Sequence, residues 1–396
     1  MAQAPTRSQV ALRPTPGALQ PARNGELALL LTREICNKIG PACPPRLSAR
    51  PPANSDLIAG KGTLILPKHL SERAPGKFVL GVDIGGTKVA AGLVNLRGKV
   101  LRAARSHMIA RGSAEQGFRA VQDAIDAVMM QAPDKTVEAI GVCSPGWVDS
   151  QRGVLLSAAN LPCWRNFPLA QKIEKHYGLP AKLANDANAA ALAEARWGAG
   201  KGFDGVFYVS LGTGIGTALV LQREIYQGRA GGAGEGGHMT INFRGPLCGC
   251  GKRGCIEMYA SGTAIAKRAR SLLRHGRRGR SRMLKIAGGE VSAITTEIVS
   301  RAASIGDPLA KRILEEAAEH LAIWLGGMID LLEPEAIILG GGLGRMMTSF
   351  RSHIRHNLDT WTVNPHWRDV RIVSAQYGPE SALVGAAAQW FAQREN

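Results

Sequence analysis

The apolar positions of this chain fall into two rhythms, and the switching between them lays out its elements. Phe78–Asp83 is a nearly unbroken apolar run that ends on an acid, as expected of a strand buried on both faces. A glycine turn, Asp83-Ile84-Gly85-Gly86-Thr87-Lys88, leads into a second run at Val89–Val94, and a further strand is predicted near Val100. Between 114 and 131 apolar side chains recur at helical spacing (Phe118, Val121, Ile125, Val128), and the run Val137–Cys143 follows. Ala181–Leu183 predicts a short strand and Ala187–Trp197 an alanine-rich helix. Val206–Leu211 and Ile215–Leu221 then repeat the strand, glycine turn and strand of the opening. Helical spacing dominates afterwards, over 258–274, 292–304 and 307–331. Ala336–Leu339 predicts a strand entering Gly340–Gly344, and Ser381–Ala392 a closing helix. Alternating strands and helices predict an α/β class, and the repeated opening predicts two related lobes facing a cleft.

Composition changes this picture at the margins. The 396 residues leave room for two lobes, and 45% hydrophobic with 20% charged residues excludes wholesale disorder. The net charge is +18, but residues 1–76 hold +6 of it and Lys267–Lys285 another +9. Neither segment interleaves aromatics with its charges, so both read as solvated surface and nucleic acid is not the expected partner. Residues 1–76 are Pro-rich and are expected to be a disordered basic extension. Their acid-free start before Glu26 faintly resembles a transit peptide, although the prolines spoil its amphipathic pattern. The run Leu27–Leu31 is too short for a secretory signal, and Leu321–Leu332, interrupted by Asp330, is too short to cross a bilayer. Seven cysteines, three of them within eight positions, point to metal ligation in a reducing compartment, and a cytoplasmic location is expected.

The candidate chemistry begins with three glycine turns, each after an apolar strand: DIGGTK (Asp83–Lys88), LGTGIG (Leu211–Gly216) and LGGGLG (Leu339–Gly344). Turns without Cβ atoms let backbone N–H groups approach phosphate oxygens; any one alone reads first as a tight hairpin, and it is the three in this order that point to phosphate. No Walker-A pattern occurs, and the GxGxxG at Gly232–Gly237 lacks the strand–helix setting of a dinucleotide site. One imidazole and three thiolates, His238, Cys248, Cys250 and Cys255, make the four-ligand set of a closed structural zinc site. Asn185–Asp186 sits where a strand ends and a helix begins. Both residues suit a helix cap, while beside a phosphate cleft Asp186 has the chemistry to take a hydroxyl proton. Glu235 and Glu257 flank the cysteine loop, either as solvent-exposed acids or as carboxylates holding a polyhydroxylated substrate.

Taken together, these segments resemble the ROK family of repressors, open reading frames and sugar kinases. The matched stretches, in order, are DIGGTK, SPGWVD (Ser144–Asp149), NLPCW (Asn160–Trp164), NDANAAALAEARWGAG (Asn185–Gly200), LGTGIG, GEGGHM (Gly234–Met239), CGCGKRGCIE (Cys248–Glu257) and LGGGLG. The likeness covers roughly residues 77–393 and within the family is greatest to bacterial glucokinases. It implies a two-lobed actin/hexokinase-like (ribonuclease H-like) ATPase fold with a cleft between the lobes. One lobe would span 77–186, completed by a C-terminal helix at 381–394, and the other 187–380, carrying the zinc loop 238–257. The implied reaction moves the γ-phosphoryl group of ATP to the 6-hydroxyl of a hexose, glucose first among them. Fructose, mannose, N-acetylglucosamine and N-acetylmannosamine are alternatives.

The resemblance also implies roles. Asp186 is the catalytic base, and Asn185, Glu235, His238, Glu257 and, more weakly, Asn160 contact the sugar. Asp83 holds Mg²⁺, and Gly85, Gly86, Thr87 and Lys88 form the first phosphate turn. Gly212, Thr213 and Gly214 form the second, and Gly341 and Gly342 lie near the adenosine. Zn²⁺ sits on His238, Cys248, Cys250 and Cys255, and the protein is a homo-oligomer, dimer or tetramer. The rival within the family is a sugar-responsive repressor, which requires a helix-turn-helix that the prolines of 1–76 do not favour. A sugar-binding protein without turnover is the third reading.

Overall fold

The computed structural model describes residues 78–131, 137–274 and 281–391. All of them lie in the second of the two units into which the chain divides, Met1–Ser71 and Glu72–Asn396. The extension expected to be disordered lies outside the described residues, as does 275–280 of the basic segment. No helix among the described residues is long and apolar enough to cross a membrane.

The chain opens with β1 (Phe78–Ile84), β2 (Lys88–Asn95) and β3 (Val100–His107), which pair antiparallel. Helix α1 (Ala114–Met130) follows, closed at its start by a Ser113–Gln116 capping box, and leads to β4 (Val137–Ser144). A small antiparallel sheet, β5 (Trp147–Asp149), β6 (Val154–Ser157) and β7 (Arg165–Phe167), and helix α2 (Leu169–Tyr177) precede β8 (Ala181–Asn185). The first main sheet has the order β3-β2-β1-β4-β8, with β4 and β8 added parallel to β1. Helix α3 (Asp186–Trp197) then carries the chain to β9 (Gly205–Leu211), β10 (Ile215–Leu221) and β11 (Glu224–Ile225).

A helical block comes next: α4 (Glu257–Ala260), α5 (Gly262–Arg274), α6 (Arg282–Ile286), α7 (Thr296–Ser304) and α8 (Pro308–Leu332). Strand β12 (Ala336–Gly340), helices α9 (Gly344–Ser349) and α10 (Arg351–Trp361), strand β13 (Arg371–Ser374) and helix α11 (Ser381–Phe391) complete it. The second sheet runs β11-β10-β9-β12-β13. An antiparallel trio is again extended on one side by two parallel strands, so the repeated opening of the sequence marks a repeated sheet.

The expected helix over 258–274 is broken at Ser261, whose hydroxyl accepts from the Ala264 N–H (3.2 Å) and starts α5 afresh. The segment predicted from 292 makes a 3-10 turn at Val291–Ala293 and becomes α-helical only at Thr296, where Thr295 caps it. The strands of the small sheet, α2, α10 and β13 carry too few residues or too mixed a pattern to register by periodicity. Each main sheet has its own apolar core, one around Leu80, Ile125, Leu155 and Trp164, the other around Leu211, Ile265, Leu321 and Ile337.

Helix α11 returns from the second sheet to lie flat on the first. The contact is backbone to backbone: a Cβ on Gly141 would sit 1.8 Å from the Ala386 carbonyl oxygen, and one on Gly385 1.6 Å from that of Ala189. Glu194, fully buried on α3, locks this arrangement. Its carboxylate accepts from the N–H groups of Ala199 (3.0 Å), Gln376 (2.9 Å) and Tyr377 (2.8 Å) and from the Ser381 hydroxyl (3.2 Å). Removing an acceptor shared by several buried donors costs about 1–3 kcal/mol for each left unpaired. Glu194→Ala is therefore expected to lower unfolding stability by about 3 kcal/mol or more. Urea denaturation checks this, and an unchanged midpoint would remove Glu194 from the account.

Candidate active site

The parallel strands β1, β4 and β8 end side by side, placing Asp83 in register with Cys143 and Ser144 with Asn185. Ligands of open α/β sheets bind beyond such carboxyl ends. Here the adjoining space is a cleft of about 550 Å³ lined by both main lobes. Gly146, Trp147, Ala158, Asn185 and Asp186 face it from one side, Gly216, Thr217, Glu235 and His238 from the other.

Asn185 and Asp186 divide the work at the start of α3. The Asn185 side-chain oxygen accepts from the N–H groups of Ala187 (2.9 Å) and Asn188 (3.3 Å), and its amide donates to the Gly146 carbonyl (3.1 Å). Asn185 is thus the cap. Asp186 takes one bond from the Ala187 N–H (2.9 Å) and turns its remaining acceptor capacity to the cleft. Burial pushes its carboxyl above the ordinary range, and the backbone bonds only partly oppose this. Asp83 is pushed up to about 6, first by burial and then by the charge of Asp186; the Cys143 thiol and Lys88 pull the other way. That thiol donates to Asp83 Oδ1 (3.6 Å) and to the Ala382 carbonyl of α11 (3.4 Å). The sequence offered no sign of this role, since a buried cysteine reads as a small apolar residue.

The second and third glycine turns are fastened together. The Leu343 N–H donates to the Leu211 carbonyl (2.9 Å), and the start of α5 closes over them, Gly262 N–H to the Gly212 carbonyl (2.8 Å) and the Thr263 hydroxyl to the Thr213 carbonyl (2.8 Å). Gly341 adopts φ +73°, and the backbone at Gly212 and Gly342 faces open space. In the first turn the Gly85 N–H is taken by the Lys88 carbonyl (2.8 Å). Gly86 and Thr87 face a second basin, of about 570 Å³, which also holds Asn160. Asn160 lines this basin, and Ala159 lines both it and the cleft that contains Asp186.

The ligand atoms of His238, Cys248, Cys250 and Cys255 all lie within 4.8 Å of one another. His238 Nδ1 is 3.6 Å from Cys248 Sγ, and the Cys250 and Cys255 sulfurs are 3.7 Å apart. A tetrahedral ion with Zn–S bonds of about 2.3 Å has ligand–ligand edges of about 3.8 Å, so the donor set and its spacing fit zinc. Glu257 is held by the second turn and the cysteine loop. Its Oε2 accepts from the Ile215 N–H (2.9 Å) at the end of the second turn, and its Oε1 lies 3.8 Å from Cys248 Sγ. Glu235 lines the cleft, with Oε2 4.0 Å from His238 Nε2. Thr217, which sequence reasoning missed, fixes that loop: its hydroxyl donates to the Gly234 carbonyl (2.5 Å) and accepts from the Gly236 N–H (2.9 Å). Trp147, half exposed at the mouth of the cleft, was missed as well.

The chain is similar to known proteins. A model of the ROK family matches residues 79–393. The glucokinase of Streptomyces coelicolor is 36% identical over 312 residues, 78% of this chain and 96% of its own length. The crystal structure of a ROK family glucokinase from Streptomyces griseus in complex with glucose and AMPPNP is 36% identical. It covers 79% of this chain and 98% of that one with a TM-score of 0.69. A xylose repressor of Caldicellulosiruptor bescii is 28% identical over 78% of this chain and 77% of its own.

Proposed function

The chain belongs to the ROK family, and from that premise we propose that it phosphorylates a hexose, glucose in the first place, at the 6-hydroxyl with ATP as donor. The observation that carries the reading is Asp186: a carboxylate freed from capping by Asn185, held in a desolvated position and facing a cleft of hexose dimensions. The glucose and AMPPNP bound by the Streptomyces griseus relative are a sugar and an ATP analogue, the two ligand classes this mechanism requires.

In this mechanism Asp186 accepts the proton of the 6-hydroxyl as that oxygen bonds to the γ-phosphorus. The bond from the γ-phosphorus to the β-γ bridging oxygen breaks, and ADP leaves. Asn185, Glu235 and His238 hold the other hydroxyls, where charge-assisted hydrogen bonds fix the ring. Gly85, Gly86, Thr87 and Lys88, with Gly212, Thr213 and Gly214, receive the phosphates, and Gly341 and Gly342 the adenosine side. Asp83 would hold Mg²⁺: it is a hard-oxygen donor raised first by burial and then by the neighbouring Asp186, and a cation there would offset both carboxylate charges. The ion supplies neutralisation of phosphate charge. His238, Cys248, Cys250 and Cys255 would hold Zn²⁺ with no open position, which gives it a structural part. Glu257 ties that loop to the second turn.

An ADP-release assay over glucose, mannose, fructose, N-acetylglucosamine and N-acetylmannosamine tests the reading. The expected result is turnover with the highest kcat/KM for glucose. ADP release no faster with any hexose than with water alone would end the kinase proposal and leave the repressor reading to be tried.

A further inference from the structure

The cleft around Asp186 has one large side chain that the mechanism above leaves without a part. Its other lining residues are small or polar, and of the large apolar side chains exposed among the described residues Trp147 alone lines it. A half-exposed indole on open surface needs no explanation, but one facing a cleft that also holds Asp186 and Glu235 gives that cleft a flat apolar wall. The backbone aims it there. Val148, next in β5, is buried in the core of the first lobe, so Trp147 leaves the strand on the opposite face. The pairing of β5 with β6 shifts register between the two, which sets Trp147 opposite Ser157. Gly146, at φ +90°, lies so close to β6 that a Cβ would stand 2.3 Å from the Ser157 carbonyl oxygen. Its own carbonyl accepts from the Asn185 amide (3.1 Å), tying the peptide before Trp147 to the start of α3. The indole also meets the loop that carries Glu235. A Cβ on Gly232 would stand 3.2 Å from its Cζ3, and the Ser150 hydroxyl donates to Gln227 Oε1 (2.5 Å). Trp147 is thus linked through Gly146 to Asn185 and through Gly232 to the loop of Glu235.

Glucose carries hydroxyls 2, 3 and 4 equatorially, around the rim of its ring, and C–H bonds on its faces. Carboxylates and amides suit the rim, and the electron-rich face of an indole suits the C–H groups. We propose that Trp147 is the platform for one face of the hexose ring, and that it selects the sugar with no axial hydroxyl on that face. An axial hydroxyl there would be stripped of water against carbon and left without a partner. Mannose, galactose and allose turn hydroxyls 2, 4 and 3 axial, the first two onto one face and the third onto the other. This rests on the kinase reading for the presence of a hexose in the cleft, and adds to it the residue that chooses among hexoses.

The test is ADP release by the full chain with glucose, mannose, galactose and allose, for wild type, Trp147→Ala and Trp147→Phe, beside intrinsic fluorescence during glucose titration. Trp147 is half exposed, so both variants are expected to fold. Trp147→Ala should raise the KM for glucose about ten-fold with kcat within about two-fold of wild type, as loss of uniform binding requires. Its kcat/KM relative to glucose should rise about ten-fold either for mannose and galactose or for allose, and the sugars that gain identify the covered face. Trp147→Phe should restore most of both effects, since it keeps an aromatic face. Glucose should change the indole emission of wild type and leave that of Trp147→Phe unaltered. A Trp147→Ala enzyme whose glucose KM and sugar ratios all stay within about two-fold of wild type overturns the platform and leaves the kinase in place. A fall in kcat at unchanged KM overturns it too, by moving Trp147 from the ring to the reacting groups. A chain that phosphorylates no hexose, yet shows the glucose-dependent emission change in wild type and not in Trp147→Phe, defeats the kinase reading and keeps the platform.

Discussion

Asp186→Asn is expected to lower kcat by about 10²–10⁴, the usual worth of a positioned general base, with hexose binding held within a few-fold of wild type. The substitution is isosteric and keeps an oxygen to accept from the Ala187 N–H, so the start of α3 is preserved. Asn185 supplies the cap independently, through its bonds to Ala187 and Asn188. What is lost is the site for the hydroxyl proton. The measurement is steady-state ADP release beside calorimetric hexose binding. A variant that turns over at the wild-type rate removes Asp186 from the chemistry, and one that no longer binds sugar reassigns it to the ring.

The same pair of carboxylates sets the pH profile. Asp83, pushed up to about 6 by burial and by Asp186, loses its charge as pH falls through that value, and Asp186 is raised as well. Both act as anions, so kcat/KM should fall on the acid side near pH 6 in the free enzyme. A bound divalent cation favours the ionised form, so the acid limb of kcat belongs at lower pH than that of kcat/KM. In Asp186→Asn, Asp83 loses the neighbouring charge that helped raise it and should titrate lower.

The parts of this molecule that could be read from sequence are those whose chemistry is local. A strand ending in Asp-Ile-Gly-Gly-Thr-Lys needs its glycines wherever the rest of the chain goes, and the spacing of His238, Cys248, Cys250 and Cys255 suits one loop around one ion. The repeated strand–turn–strand unit foretold the repeated sheet. What stayed hidden depends on contacts between distant segments. Glu194 looks like any acid in an alanine-rich helix until Gln376, Tyr377 and Ser381 arrive. Cys143 becomes relevant only because β1 and β4 are parallel and in register at Asp83. Glu257 was expected at the sugar, and its spacing could not reveal that it also accepts from the Ile215 N–H. Asn185 and Asp186 were equally good caps on paper; the choice was made by backbone geometry, which put the Ala187 and Asn188 N–H groups on Asn185.

Stripping the metal from the cysteine loop should cripple sugar affinity before it touches the phosphate turns. Three thiolates and an imidazole drawn together within 4.8 Å, with no ion among them, are left with like charges or with protons. The Cys255 thiol is pushed up to about 12, by burial first and then by its neighbouring thiols, so without metal it stays protonated at neutral pH. The loop around it is paired by two isolated bridges, Thr240 to Cys255 and Leu247 to Arg253, and by single backbone bonds such as Cys248 N–H to the Lys252 carbonyl (2.7 Å). A structural zinc contributes about 10–16 kcal/mol in isolated fingers, far more than those bridges can replace. Two cleft residues depend on the loop. His238 offers Nδ1 to the cluster and lines the cleft, and Glu235 lies against its Nε2. A Cys255→Ser variant, or wild type treated with a strong chelator, should therefore raise the KM for hexose by about ten-fold or more and lower Tm by several degrees. The KM for ATP should move less, because the first turn lies outside the loop and the second, which Glu257 ties to it, is also held by the backbone bonds from Leu343 to Leu211 and from Gly262 to Gly212. Metal analysis of the purified protein should find one zinc per chain in wild type and less in Cys255→Ser. Wild type that contains no zinc, or a chelated enzyme with an unaltered hexose KM, would overturn the assignment of these four residues.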